Sequence, residues 1–583
     1  MSAGERPAEA ARNGSWLSQV EPCRRVASAD EIAWDASTDF LVVGSGAAGS
    51  SAAAEACEQG LAVTMIDRFA GGGTTVASGG VIYAGGGTSI QRAAGVQDSP
   101  EEMFRYLRLE TQGCVSDPTL RRFCEQSRHT LDWLIAKGVE FRATLYPGKT
   151  SYPPVDYFLY HPDNSLVGSY AAQARPAARG HRGAGRLTRR QMEAAVGLGG
   201  SLIWPLHDWC RARGVRWMPF TEARQLVQDR DGRVLGARVL ELPDGPSRTS
   251  FTHHLQTGAR LQALLPPIVP GSRLLRRLAR RHLREAERLE REARVARFIR
   301  AERGVCLAAG GFICNRPMVA HYAPSYRAGF PLGTSGDDGS GIRLGQSAGG
   351  ATGRMQRMTA WRFINPPLAW ARGIVVNRRG ERVCNETVYG ATLGIELVEQ
   401  HGGEGWLILD ARLVREARAQ IAPGRTLPFQ RQLARLNMLI GRQRARTLRQ
   451  LAARTGIDPE GLVRSIAAYN RAARGEIRDP LGKDPEDTAG ITTPPFIAID
   501  IGIAAKWFPC PTLTLGGLVV DEDSGLVHSD SGEPIPGLYA AGRSAVGVSS
   551  HLYVSGLSIA DGVFSGRRAG LHAATGRTWG PAT

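Results

Sequence analysis

The run Phe40-Leu41-Val42-Val43-Gly44-Ser45-Gly46-Ala47-Ala48-Gly49 decides the fold. Four apolar residues bounded by glycine read as a short buried strand. The alanine-rich stretch to Gln59 reads as a helix, and Ala62-Val63-Thr64-Met65-Ile66 as a second strand ending in Asp67. Strand, G-x-G-x-x-G turn, helix and acid-terminated strand together form a dinucleotide-binding unit. In that unit Gly44 permits the tight turn, Gly46 lets a pyrophosphate approach, and Gly49 packs helix on strand. Asp67 is placed to accept from a ribose hydroxyl. Ser45, Ala47 and Ala48 bring amides to a helix start that favours an anion, and Arg68 is assigned to the same contact set.

Further along, Gly71 to Gly80 reads GGGTTVASGG. Thr74, Thr75 and Ser78, with Gly79 and Gly80, supply hydroxyls and open amides as a second phosphate- or ring-contacting loop would. A strand from Gly304 ends in Ala309-Gly310. Gly537-Leu538-Tyr539-Ala540-Ala541-Gly542 leads into Ser549 to Gly562, where a helix begins. That second strand-turn-helix makes another anionic seat, with the Ser558 and Ile559 amides at its helix start. Its unusual content is Tyr553 and Ser555, a phenol and a hydroxyl two residues apart.

The pairing of GSGAAG with GG-x-TT-x-x-SGG resembles the FAD-dependent family of fumarate reductases and 3-ketosteroid dehydrogenases, over roughly residues 36–575 apart from about 250–295. The resemblance implies bound FAD and an α/β fold. Its Rossmann-like FAD-binding domain, a parallel sheet flanked by helices and a small antiparallel sheet, would carry an inserted α+β catalytic domain. The expected division is a mobile arm over 1–35, FAD-binding segments over 36–312 and 506–575, and the catalytic domain over 313–505. Gly304 to Phe312 resembles the family's strand ending beside the flavin, and within the insert helices are expected over 411–420, 429–455 and 459–474.

The family divides by substrate. A dicarboxylate calls for forked arginines, because two carboxylates must be desolvated together. The two neighbourhoods where the fumarate-reductase pattern has arginine read HLYVSG and NETVYG, which place Tyr553 and Tyr389 there instead. Asn385-Glu386-x-x-Tyr389 and Tyr553-x-Ser555 resemble the Δ4-(5α) type of ketosteroid dehydrogenase. The Δ1 type has Tyr-x-x-x-Gly, whereas the fourth residue after Tyr553 is Leu557. The resemblance therefore implies desaturation beside a steroid 3-ketone, with an external electron acceptor. A Δ1-dehydrogenase, or a membrane-docked electron-transfer or sterol-binding flavoprotein, stands as the alternative. In the leading reading Tyr553 is the base, its pKa of about 10 lowered by the helix N-terminus and by a hydrogen bond from Ser555. Tyr389 then passes the proton on or donates to the ketone.

Composition sets the remaining limits. Glycine is abundant, at 71 of 583 residues. Lys+Arg 72 against Asp+Glu 55 gives +17, yet part of that excess is local. Arg273 to Arg303 alone holds twelve Arg and five Glu, next to the apolar run Leu261 to Val269. A basic amphipathic helix of this kind can lie on an anionic membrane, or be a solvated helix or an oligomer contact. No nucleic-acid partner is expected. Nine cysteines without a C-x-x-C pair indicate neither a metal site nor a disulfide framework. With no visible secretory signal, the expected location is cytoplasmic, with about 255–295 offering peripheral contact to the inner face of the cell membrane.

Overall fold

The computed structural model describes residues 17–195, 197–264 and 272–579. Strand β1 (Ala36–Val43) buries Phe40, Leu41 and Val42 completely, as a strand covered on both faces must. The chain turns at Gly44, where φ is 102° and a Cβ would sit 2.4 Å from the Ala308 carbonyl oxygen. Only glycine fits such a turn. Helix α1 (Ala47–Glu58) starts at once, and β2 (Val63–Ile66) returns parallel to β1 with Phe40 opposite Val63. β3 (Arg216–Met218) adds in parallel beyond β2.

β4 (Thr221–Gln228) and β5 (Val234–Glu241) form an antiparallel hairpin around Asp231-Gly232. Helices α2 (Pro246–Leu264) and α3 (Ser272–Glu292) follow. The long β6 (Val295–Leu307) then pairs antiparallel with β5 through its first half and parallel to β1. The segment expected as an apolar loop and one basic helix is thus largely a helical hairpin. Ala279, Ala286 and Phe251 are buried in it, and Gly258 lets Leu283 approach closely. Residues 265–269 of the apolar run lie outside the described residues.

Residues 17–35 correct the expected arm. Arg24–Arg25 pairs parallel with β4, Val26 and Ile32 are buried, and the Ser18 amide donates to Asp338 at 2.6 Å. The open edge of β4 supplies the backbone partners that hold this segment. Residues 1–16 lie outside the described residues.

A second sheet, antiparallel throughout, runs in the order Ile374–Val376, Trp406–Leu409, Phe496–Asp500, Arg442–Ala445. Helix α4 (Gly390–Gln400) belongs to this part of the chain. Its hydrophobic core draws on residues from Ile364 to Phe508. Ile313, Ile342 and Met358 join the core of the large sheet instead, so by packing the insert begins near 364 rather than at 313. The helix expected over 429–455 is interrupted: Pro428–Leu439 and Leu448–Thr455 are helical, and Arg442–Ala445 between them is an edge strand.

β7 (Pro534–Ala540) closes parallel to β6, and α5 (Leu557–Thr575) packs along α1. Gly562, Gly566 and Gly570 recur every fourth residue, so they share one face of α5. A Cβ at Gly566 would lie 2.1 Å from the Ala48 carbonyl oxygen, and one at Gly570 2.5 Å from that of Ala52. This close seam brings the N-termini of α1 and α5 to one cavity.

Candidate active site

A cavity of about 690 Å³ runs between those two helix starts. At one end it is walled by the turn after β1 and by Asp67, at the other by the start of α5. Gly44, Ser45, Gly46, Ala47, Ala48, Asp67 and Arg68 line it, as do Thr74, Thr75, Ser78, Gly79, Ala309, Gly310, Gly542, Ser558 and Ile559. Gly49 and Gly80 are not on its wall. Gly49 packs α1 on the turn, where a Cβ would meet the Gly44 carbonyl at 1.8 Å. Gly80 is packed against the Leu198 backbone.

Each wall has a local cause. The Asp67 carboxylate accepts from the Ser45 amide at 3.1 Å, the Ser45 hydroxyl at 2.7 Å and the Phe69 amide at 2.9 Å. Those bonds fix its direction and leave lone pairs toward the cavity. Thr75 Oγ1 accepts from the Ala47 amide at 3.0 Å, tying the second glycine loop to α1. Arg68 is committed elsewhere: it donates to both Glu290 oxygens at 3.0 Å and to Asp338 at 3.1 Å.

Arg543 and Asp337, which sequence reasoning passed over, also line the cavity. Arg543 Nη2 donates to Asp337 Oδ1 at 2.5 Å, whereas its buried Nη1 has no hydrogen-bond partner among the described residues. An orphaned guanidinium nitrogen beside two helix N-termini and a glycine cradle fits an anionic dinucleotide. FAD is thus accommodated by these residues.

At the α5 end the wall is aromatic. Tyr553, Ser555, Trp361 and Tyr152 all line the cavity, and the Trp361 ring lies edge-on to Tyr553 at 4.3 Å between centroids. Tyr389 is buried just behind this wall, 5.9 Å from the Phe363 ring. Its loop is tightly pinned. Glu386 is buried and paired with Arg382 and Lys483, and it accepts from the Val375 amide. Asn164 Oδ1 accepts from the Tyr389 amide at 2.5 Å, while Asn164 Nδ2 donates to Thr392 at 2.9 Å. Tyr389 therefore sits at the N-terminus of α4 under control of residues from both parts of the chain.

The phenols behave differently from the expectation. Burial pushes the Tyr553 phenol above its ordinary value, Tyr152 adds to that, and the Gly556 amide opposes it. Burial also raises Tyr389, helped by Tyr553 and Tyr160. The Ser555 hydroxyl lowers Tyr389 and Tyr160 by hydrogen bonding, rather than Tyr553. Both phenols are therefore neutral at pH 7 in this state, and the helix N-terminus does not outweigh the loss of solvent. Tyr152, Tyr160 and Trp361 belong to no motif and reach the site only through packing. His551, two residues before Tyr553, is half-buried, with Nδ1 lacking a partner among the described residues.

The comparisons agree with this geometry. The chain is 40% identical over 535 residues to a 3-oxo-5-alpha-steroid 4-dehydrogenase of Comamonas testosteroni, covering 91% of this chain and 96% of that one. It is 26% identical over 587 residues to a 3-oxosteroid 1-dehydrogenase of Mycobacterium tuberculosis, covering 92% and 98%. Among solved structures, a 3-ketosteroid-delta4-(5alpha)-dehydrogenase from Rhodococcus jostii in complex with 4-androstene-3,17-dione superposes with a TM-score of 0.77. That match has 29% identity and covers 95% of this chain and 100% of the other. The family described as FAD binding domain matches residues 39–558, and the chain belongs to it.

Proposed function

We propose that the protein is an FAD-dependent 3-ketosteroid dehydrogenase that desaturates the bond between the α and β carbons of the ketone, in the Δ4-(5α) position. One observation carries this reading: Tyr553, Ser555, Trp361 and Tyr152 wall the cavity at the α5 end, with Tyr389 directly behind. The two arginines that line the cavity, Arg68 and Arg543, are both ion-paired with carboxylates. A dicarboxylate would find no open guanidinium fork there among the described residues, whereas an apolar ketone matches the aromatic wall. The identity to the Comamonas protein favours the Δ4 position.

FAD, when bound, accepts the β-hydride. The chain's own part is to take the α-proton, and Tyr553 is assigned as the base because it faces the cavity at the α5 helix start. Tyr389 does not line the cavity, so it is assigned to carry that proton onward, with Ser555 on the cavity wall hydrogen-bonded to it. A neutral phenol must ionise to act as base. The rate of flavin reduction is accordingly expected to rise with pH through the alkaline range, measured by rapid mixing under anaerobic conditions. A rate flat from neutrality upward would contradict the high resting pKa of Tyr553.

Product analysis tests the substrate. With an artificial electron acceptor, a 5α-reduced 3-ketone is expected to yield the 4-en-3-one, and the 4-en-3-one itself to remain unconverted. Turnover of the latter alone, to a 1,4-diene, would replace the reading by Δ1 chemistry.

No helix among the described residues is long and apolar enough to cross a membrane. On α3, Arg273, Arg277, Arg280, Arg281 and Arg284 are exposed beside exposed Leu274 and Leu278. This face supports peripheral contact with an anionic bilayer. Replacing the five arginines with glutamine is expected to abolish co-flotation with vesicles rich in anionic lipid; unchanged flotation would remove the membrane role.

A further inference from the structure

The α2–α3 hairpin has an inner face that the outward arginines do not explain. Leu255 and Ala259, one turn apart on α2, line the same cavity as Gly44 and Asp67. Leu255 is half-buried and Ala259 exposed, so both present apolar surface toward open space. The hairpin stands at the Asp67 end. Phe251 packs with Phe69, two residues after Asp67, and with Phe220, whose ring is 6.0 Å away. At the other foot Glu290 is buried and takes a bidentate pair from Arg68, the residue next to Asp67. Glu290 also pairs with Arg294, which in turn pairs with Glu222 of β4. Glu222 lines the cavity as well.

Asp67 marks the ribose of the adenosine half, because the acid at the end of the second strand faces that sugar in a dinucleotide site. We propose that Leu255 and Ala259 form the outer wall of the adenosine subsite, and that the Arg68–Glu290 pair fastens the hairpin there. The insertion is then part of the cofactor site: adenosine closes against it and cannot leave until the hairpin parts from the sheet. The inference rests on FAD being the cofactor and is independent of which ketone is oxidised. It also explains why Arg68, placed where a cofactor contact was expected, spends its guanidinium on Glu290 and Asp338.

FAD and FMN distinguish this role, since FMN lacks the adenosine half. Apoprotein is titrated with each, with binding read by quenching of flavin fluorescence, and FAD release is timed after dilution. Ala259→Glu sits at an exposed helical position that folding tolerates. It is expected to weaken FAD at least about tenfold, or 1.4 kcal/mol, while leaving FMN affinity at the wild-type value. Glu290→Gln is expected to speed FAD release, again without effect on FMN. FAD affinity and release unchanged in both variants would overturn the proposal. So would equal loss of FAD and FMN, which would mark the hairpin as general support for the fold. Substrate oxidation does not enter either readout.

Discussion

Tyr553→Phe is expected to lose about 10²- to 10⁴-fold in turnover, the usual contribution of a positioned acid–base group, while the purified variant stays yellow. The substitution removes one oxygen and keeps the ring that packs edge-on against Trp361. The Tyr553 phenol takes a hydrogen bond from the Gly556 amide, but the contacts among Ser45, Ala47, Asp67 and Thr75 at the opposite end do not involve it, so FAD content should match wild type. Steady-state turnover with a 5α-reduced 3-ketone, alongside the flavin absorbance, checks both halves. Activity within about threefold of wild type would show that another group takes the proton. Tyr389 is the comparison. Its buried phenol stands behind the wall, so Tyr389→Phe should slow turnover with little change in KM if it carries protons and does not touch the ketone.

Glu386→Gln is expected to cost about 3–5 kcal/mol, because it leaves the buried Lys483 without its counter-ion and takes from Arg382 one of its two carboxylate partners, Asp479 being the other. Lys483 donates to Glu386 at 3.0 Å and Arg382 Nη2 donates at 2.7 Å, with Lys483 and Glu386 side chains fully buried. Burial alone would raise the Glu386 carboxyl, but Lys483 and Arg382 together hold it below the ordinary 4.5. A depressed folded pKa means stability that is present at neutral pH. It is lost as pH falls through the folded value. The variant should therefore unfold earlier in denaturant at pH 7, with the difference shrinking in acid. Since Tyr389 is three residues on, turnover should fall as well. Unfolding indistinguishable from wild type at pH 7 would mean that Lys483 finds another partner and that Asp479 suffices for Arg382.

How far this molecule can be read from its sequence depends on the range of the interactions involved. The Gly44–Gly49 turn and Asp67 are legible because the motif is contained in one βαβ unit, where Gly49 packs against the Gly44 carbonyl, although the Ala308 backbone that Gly44 must clear comes from a distant strand end. The β4–β5 hairpin is legible because Asp231-Gly232 is local turn chemistry. The interruption between 429 and 455 is not. Arg442–Ala445 becomes a strand because Phe496–Asp500, more than fifty residues away, offers a sheet edge, and helical periodicity cannot register such a partner. Residues 17–35 are ordered for the same reason, by the free edge of β4. Tyr553, Tyr389 and Ser555 stood out through their motifs. The direction of the Tyr553 pKa did not, because solvent exclusion by Trp361 and Tyr152 comes from two other parts of the chain. Tyr152, Tyr160 and Trp361 join the site only through tertiary packing, as do Arg543 and Asp337 at the cofactor end.

Deuterium placed at single carbons of a saturated 3-keto steroid tests the central claim most directly, with anaerobic bleaching of the flavin as the signal. A primary isotope effect on bleaching is expected when the label is at the 5α position, and none when it is at C1. Slowing by the C1 label, with the 5α label silent, would contradict it.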